Sequence, residues 1–162
     1  ALGQLTVSLD SFTVKQGLSQ GFVSDICQDK DGFIWMGTMD GLNRYDGYGV
    51  KVFRSQPDYD FTLPENYITE VEEDAAGNLW VGTYSHGLYY FNKRSELFYE
   101  VKVQGKGVWP GKNIVMLTYR QGFLFCKDEL QIAIYDVRRL EAKANIKAVP
   151  DFGIGMQPVY HE

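Results

Sequence analysis

The chain has 162 residues, 44% hydrophobic and 15% aromatic, which is enough apolar material for a sizeable core within the single-domain range. A formal charge of -5 excludes the basic stripe that a nucleic-acid surface requires and makes acidic polymers poor ligands. No apolar run of about 18 residues is present to span a bilayer, and no charged start followed by an apolar stretch reads as a signal peptide.

In chain order, residues 5–18 read as an N-terminal strand. Within 17–21 the letters G-L-S-Q-G match the G-x-S-x-G nucleophile elbow, which needs a strand before it and a helix after it. A strand pattern follows instead, and no βα alternation surrounds His86 or His161, so the segment reads as a glycine-bounded turn. Residues 23–38, V-S-D-I-C-Q-D-K-D-G-F-I-W-M-G-T, are then echoed at 68–83 as I-T-E-V-E-E-D-A-A-G-N-L-W-V-G-T. The copies share Asp29/Asp74, Gly32/Gly77, Trp35/Trp80, Gly37/Gly82 and Thr38/Thr83, and after a one-residue slip Gly41-Leu42 answers Gly87-Leu88.

A period of about 45 residues belongs to propeller blades or helical repeats. The residue types choose strands. Each unit has an inner V-x-x-I-like segment, an Asp-x-x-Gly turn, and a β-branched and aromatic run apolar on consecutive positions, as in a strand buried on both faces. Third strands follow near 42–45 and 88–91, and the alternation of Tyr99, Val101 and Val103 with Glu100, Lys102 and Gln104 marks an outer strand. A worn third copy has Ile114 and Leu117 on its inner strand, Gly122 at its turn, Leu124-Phe125-Cys126 in place of the Leu-Trp-Val run, Lys127-Asp128 in place of Gly-Thr, and an outer strand at 145–149. The best helical candidate, 138–144, lacks a capping signal.

The expected fold is therefore all-β: a partial β-propeller of about three four-stranded blades. The segments are 5–18 (N-terminal strand), 19–57 (blade 1), 62–104 (blade 2), 108–150 (blade 3) and 151–162 (start of the next unit). Three blades leave two apolar faces uncovered, so further blades or other copies of the chain are expected to cover them. Cys27 and Cys126 fall on blades that are not neighbours, and no disulfide is expected.

The stretch 17–48 resembles the opening blade of the sensor region in Bacteroides-type hybrid two-component system proteins, and the second copy resembles the same two-component regulator propeller repeat. The resemblance covers residues 5 to 136, with the third repeat degenerate. It implies seven-bladed propellers in a periplasmic sensor region, ahead of a membrane helix, a histidine kinase and a response regulator. It further implies an oligosaccharide ligand, a homodimeric parent protein and control of polysaccharide-utilisation genes. No kinase, receiver or DNA-binding segment is present in this chain, so what carries over is sensing, without catalysis, without a cofactor, and without contact to nucleic acid or membrane.

Asp29-Lys30-Asp31-Gly32 looks like the start of a calcium loop, but the later acidic ligands are missing and the second repeat keeps only Asp74 and Gly77. A turn is expected there, with no metal. Trp35 and Trp80 could stack on sugars, yet their repeated place inside an apolar run reads as core. Arg44 and Tyr45 belong to a third strand and could line a blade interface or the surface.

Function is better sought on loops held by the scaffold. In a propeller the links between second and third strands share a face with the links between blades. On that face the candidate ligand contacts are Asp40, Tyr59, Tyr84, His86, Trp109, Lys112 and Asn113, flat apolar surface mixed with polar groups that suits a neutral or anionic carbohydrate. The alternatives are a lyase-like propeller enzyme, with His86 and Tyr84 as its acid/base pair, or a scaffold for protein contacts.

Overall fold

The computed structural model describes residues 11–103, 111–137 and the short strand Lys147–Ala148. The molecule is a partial propeller of three antiparallel sheets. The first contains β1 (Val23–Gln28), β2 (Ile34–Thr38), β3 (Gly41–Tyr45) and β4 (Val50–Phe53) in sequential order. The second contains β5 (Ile68–Glu73), β6 (Leu79–Thr83), β7 (Leu88–Asn92) and β8 (Leu97–Glu100). The third contains β10 (Met116–Arg120), β11 (Phe123–Lys127) and β12 (Ile132–Asp136). The inner strand β5 touches β1 on one side and β10 on the other, which is the radial order of neighbouring blades.

Two details differ from the sequence pattern. Residues 11–18, expected to finish a strand, contain instead a 3-10 turn at Val14–Gln16, because Thr13 and Gln16 form a reciprocal cap and Gly17 takes φ 106. The outer strand of the second blade ends at Glu100, and β9 (Lys102–Val103) pairs separately, in parallel, with β13 (Lys147–Ala148). Apart from those two residues the outer strand expected at 145–149, like the helical candidate 138–144, lies outside the described residues.

The repeated residues each have a physical task. Asp29 Oδ1 accepts the backbone N–H of Asp31 and Phe33 at 3.0 and 2.9 Å, closing the turn, while its Oδ2 accepts the indole N–H of Trp35 at 2.8 Å. Asp74 does the same for Ala76, Asn78 and Trp80, with the indole at 3.0 Å. Gly32 and Gly77 stand in these turns at φ 91 and 85, which a side chain would strain. The third blade has no such aspartate. Its turn is the two-residue pair Gln121 and Gly122 at φ 51 and 92, a left-handed pair that suits a tight hairpin.

Two cores alternate with the blades. One holds Trp35, Leu42 and Phe53 of the first sheet against Ile68, Val71, Leu79, Val81 and Phe91 of the second. The other holds Trp80 and Leu88 of the second sheet against Leu117, Leu124 and Cys126 of the third and Ile114 just before it. Every residue of β6 is buried, as a strand packed between two blades requires, whereas β11 alternates because only one of its faces is covered among the described residues. Gly37 and Gly82 let the next blade approach: a Cβ on Gly82 would lie 2.8 Å from Ile114 Cγ2, and one on Gly37 3.0 Å from Ile68 Cγ2. Gly82→Ala should therefore destabilise the protein by about 1–3 kcal/mol through overpacking, measured by denaturant unfolding.

Candidate functional site

The two ends of the blades differ in chemistry. At the end carrying the Asp-x-x-Gly turns, Asp29, Asp31 and Glu73 bring carboxylate oxygens within 4.8 Å of one another. The Lys93 ammonium already fills that cluster, donating to Asp29, Asp31 and Glu73 at 3.0, 3.0 and 2.7 Å. Burial would push the Asp29 carboxyl up, but the Trp35 indole, Lys93 and the Phe33 N–H together hold it below the ordinary carboxylate value. Burial likewise works against the Lys93 charge, and its three acidic partners prevail and push it upward. This end ties blades together: Lys30 Nζ donates to Ala76 O at 2.9 Å, and Lys30 N to Glu73 Oε2 at 2.8 Å. Arg44, which the sequence leaves between interface and surface, lies over the Phe33 and Trp35 rings and reaches Glu96 at 3.4 Å, a link from first blade to second.

The opposite end is the loop face. The turn after β2 and the segment between β4 and β5 are joined there by Gly41 N donating to Asn66 O at 2.8 Å, and within that segment Ser55 N donates to Asn66 Oδ1 at 2.7 Å. The next pair of loops meets through Gly87 N to Lys112 O, also at 2.8 Å. Thr38 and Thr83 hold the within-blade turns, each hydroxyl donating to the carbonyl of Gly41 or Gly87 at 2.9 Å.

The candidate side chains divide on this face. Asp40 is engaged by Arg54, whose Nη2 and Nε donate to its two oxygens at 2.9 and 3.2 Å, and this pairing holds the Asp40 carboxyl below its usual range. Asn113 Nδ2 donates to Glu129 at 2.9 Å, while the Lys112 side chain is exposed. Tyr59 is 69% exposed on the segment between β4 and β5. Trp109 lies outside the described residues. Tyr84 and His86 come together with two residues that sequence reasoning missed: Tyr84 stacks on Tyr67 with ring centroids 4.9 Å apart and an interplanar angle of 11°, and half of Tyr84 remains exposed. Glu65 accepts Ser85 N–H at 2.5 Å and faces His86 Nδ1 at 3.2 Å, with Ser85 Oγ 2.9 Å from the same ring nitrogen. Glu65 and Tyr67 could have been found by noting that they immediately precede an inner strand, where a propeller chain crosses this face.

The arrangement offers a rigid aromatic platform with a carboxylate, a hydroxyl and an imidazole beside it. His86 turns Nδ1 toward Glu65 and Ser85, and the Tyr84 ring lies on Tyr67.

Comparison with known proteins places these features. Residues 17–40 and 62–85 match the profile described as two component regulator propeller. Histidine kinase P4 of Formosa agariphila is 54% identical over 48 residues, which are 30% of this chain and 4% of that kinase. The fold resembles an extracellular domain assigned to a hybrid two component system of B. thetaiotaomicron, with TM-score 0.68 and 22% identity over 85% of this chain and 21% of that one. A second such domain from the same bacterium aligns with TM-score 0.66 and 18% identity over 90% of this chain and 21% of that one. The chain thus spans about a fifth of the solved domains it matches. No helix among the described residues is long and apolar enough to cross a membrane.

Replacing Lys93 by Met should leave three carboxylates facing one another and cost on the order of 2 kcal/mol at neutral pH. The carboxyl of Asp29 is depressed in the fold, so its contribution is present above the unfolded value of 3.8 and is lost as the pH falls through the folded one. Urea unfolding should accordingly show the gap between wild type and Lys93→Met narrowing as the pH falls below 3.8.

Proposed function

We propose that this chain, which carries two component regulator propeller repeats at residues 17–40 and 62–85, is a non-catalytic ligand-sensing module of a histidine kinase signalling protein. It works outside the cytoplasm, in the periplasm, as part of a larger seven-bladed propeller whose first three blades are 19–57, 62–104 and 108–150. Its ligand is an oligosaccharide, and binding shifts the arrangement of two protomers so that the kinase switches polysaccharide-utilisation genes.

The observation that carries this reading is the half-exposed Tyr84 ring held on Tyr67, with His86, Ser85 and Glu65 at its edge. A flat ring binds the apolar face of a pyranose, and convergent polar groups beside it orient the hydroxyls. Tyr59, Asp40, Lys112 and Asn113 extend the same face and are assigned to the outer parts of the ligand site, and Trp109, which lies outside the described residues, is assigned there from the sequence pattern alone. The scaffold residues are consumed elsewhere: Trp35 and Trp80 are at most 1% exposed and their aspartates are fully engaged, which leaves recognition to residues that differ between the copies.

Thermal unfolding in the presence of neutral and anionic oligosaccharides tests the proposal. A ligand at about 100 times its Kd should stabilise by about 2.7 kcal/mol. Tyr84→Ala and His86→Ala should each weaken binding about tenfold or more with little change in the unliganded unfolding midpoint, since both side chains are half exposed. Failure of every glycan class to stabilise the protein would overturn the reading.

A further inference from the structure

Carboxylates join the inner strands to one another. Asp25 Oδ2 accepts the Val71 N–H at 2.8 Å across the joint between the first and second blades. Across the joint between the second and third, Glu70 Oε2 accepts the Leu117 N–H at 3.3 Å and Glu72 Oε1 the Tyr119 N–H at 2.6 Å. The second joint is the less complete. At the first, Ser24 Oγ also donates to Ile68 O at 2.5 Å, whereas its counterpart Thr69 has a buried hydroxyl oxygen with no partner among the described residues.

Charge is also unbalanced there. Glu70 has Asp25 of β1 on one side, Glu72 on its own strand and the Cys126 thiol of β11 on the other, with the uncharged Gly82 of β6 and Ile114 packed beside it. The Arg120 guanidinium stands 3.8 Å from Glu72, and no ion pair to Glu70 occurs among the described residues. Burial pushes the Cys126 thiol up to about 12, so that group is neutral and offers no counter-charge.

We propose that the joint between the second and third blades is a proton-sensitive hinge: protonated Glu70 seats β10 firmly on β5, and ionised Glu70 loosens it. Either form can accept the Leu117 N–H, so the difference lies in repulsion from Asp25 and Glu72 and in the cost of holding a charge in a partly buried joint. Burial first, and then Asp25, push the Glu70 carboxyl up to about 7, with Leu117 N–H opposing and Glu72 adding to the rise. Glu72 is raised as well, by burial, against Tyr119 N–H and Arg120. A carboxyl raised from 4.5 to about 7 stabilises the fold fully below 4.5, and that contribution is lost as the pH rises through about 7.

Amide exchange of the intact chain, corrected for base catalysis, tests the hinge at Leu117 and Tyr119. Protection should fall about tenfold between about pH 6 and about pH 8 in the wild type, and should become independent of pH in Glu70→Gln. Val71, at the first joint, should not follow. The titration of the Glu70 carboxyl carbon in the wild-type protein, followed by NMR, gives a reading that does not depend on the variant folding, with an expected midpoint near 7. A midpoint below about 5, unchanging wild-type protection, or a fall that persists in Glu70→Gln would overturn the proposal.

Discussion

A buried carboxylate that accepts an indole N–H is the interaction on which the first two blades depend. Asp29 and Asp74 are each 4% exposed, and each divides its two oxygens between a turn backbone and a tryptophan. One oxygen closes the turn from inner strand to second strand. The other fixes the orientation of the largest side chain in an inter-blade core, whose polar atom would otherwise be buried without a partner. Local chain reversal and long-range packing are thus set by one side chain, six residues from the ring it orients.

The remaining repeated residues follow from that orientation. With a tryptophan filling the space between blades, the same strand can come close to the next inner strand two residues later only where it lacks a Cβ, which is the position of Gly37 and Gly82 against Ile68 and Ile114. The threonines after them close the turns that carry the loop face. The third blade breaks this pattern as a set: it lacks the aspartate, has Phe125 where the tryptophan would stand, and carries Lys127 where the glycine would stand. Asp128, standing where the first two blades have threonine, holds the turn between β11 and β12, accepting Leu130 and Gln131 N–H at 2.7 Å each. A lysine cannot permit the approach that glycine does, so the far face of the third blade meets its surroundings on different terms from the first two.

Much of this was legible in the sequence, because a repeat exposes each structural residue twice and a strand buried on both faces leaves a run such as Leu79-Trp80-Val81. The turn-forming role of Asp29 was legible from spacing; its bond to Trp35 was not, since nothing in the pattern says which way a buried indole points. Lys93 was invisible as the partner of Asp29 and Asp31 because it sits more than sixty residues away, in a turn with no counterpart charge in the first copy. The loop face was placed correctly as a class of links, yet Glu65 and Tyr67 were missed because side chains that pair across loops obey no period. Asp40 and Asn113 looked available in sequence and prove to be engaged by Arg54 and Glu129.

The most direct test of this account is a double-mutant cycle on Asp74→Ala and Trp80→Phe, with stabilities from denaturant unfolding. The indole–carboxylate bond predicts a coupling energy of about 1.5–3 kcal/mol, the range for a hydrogen bond to a charged group. Losses that simply add, with no coupling beyond error, would contradict it and reduce the shared aspartate to a turn residue.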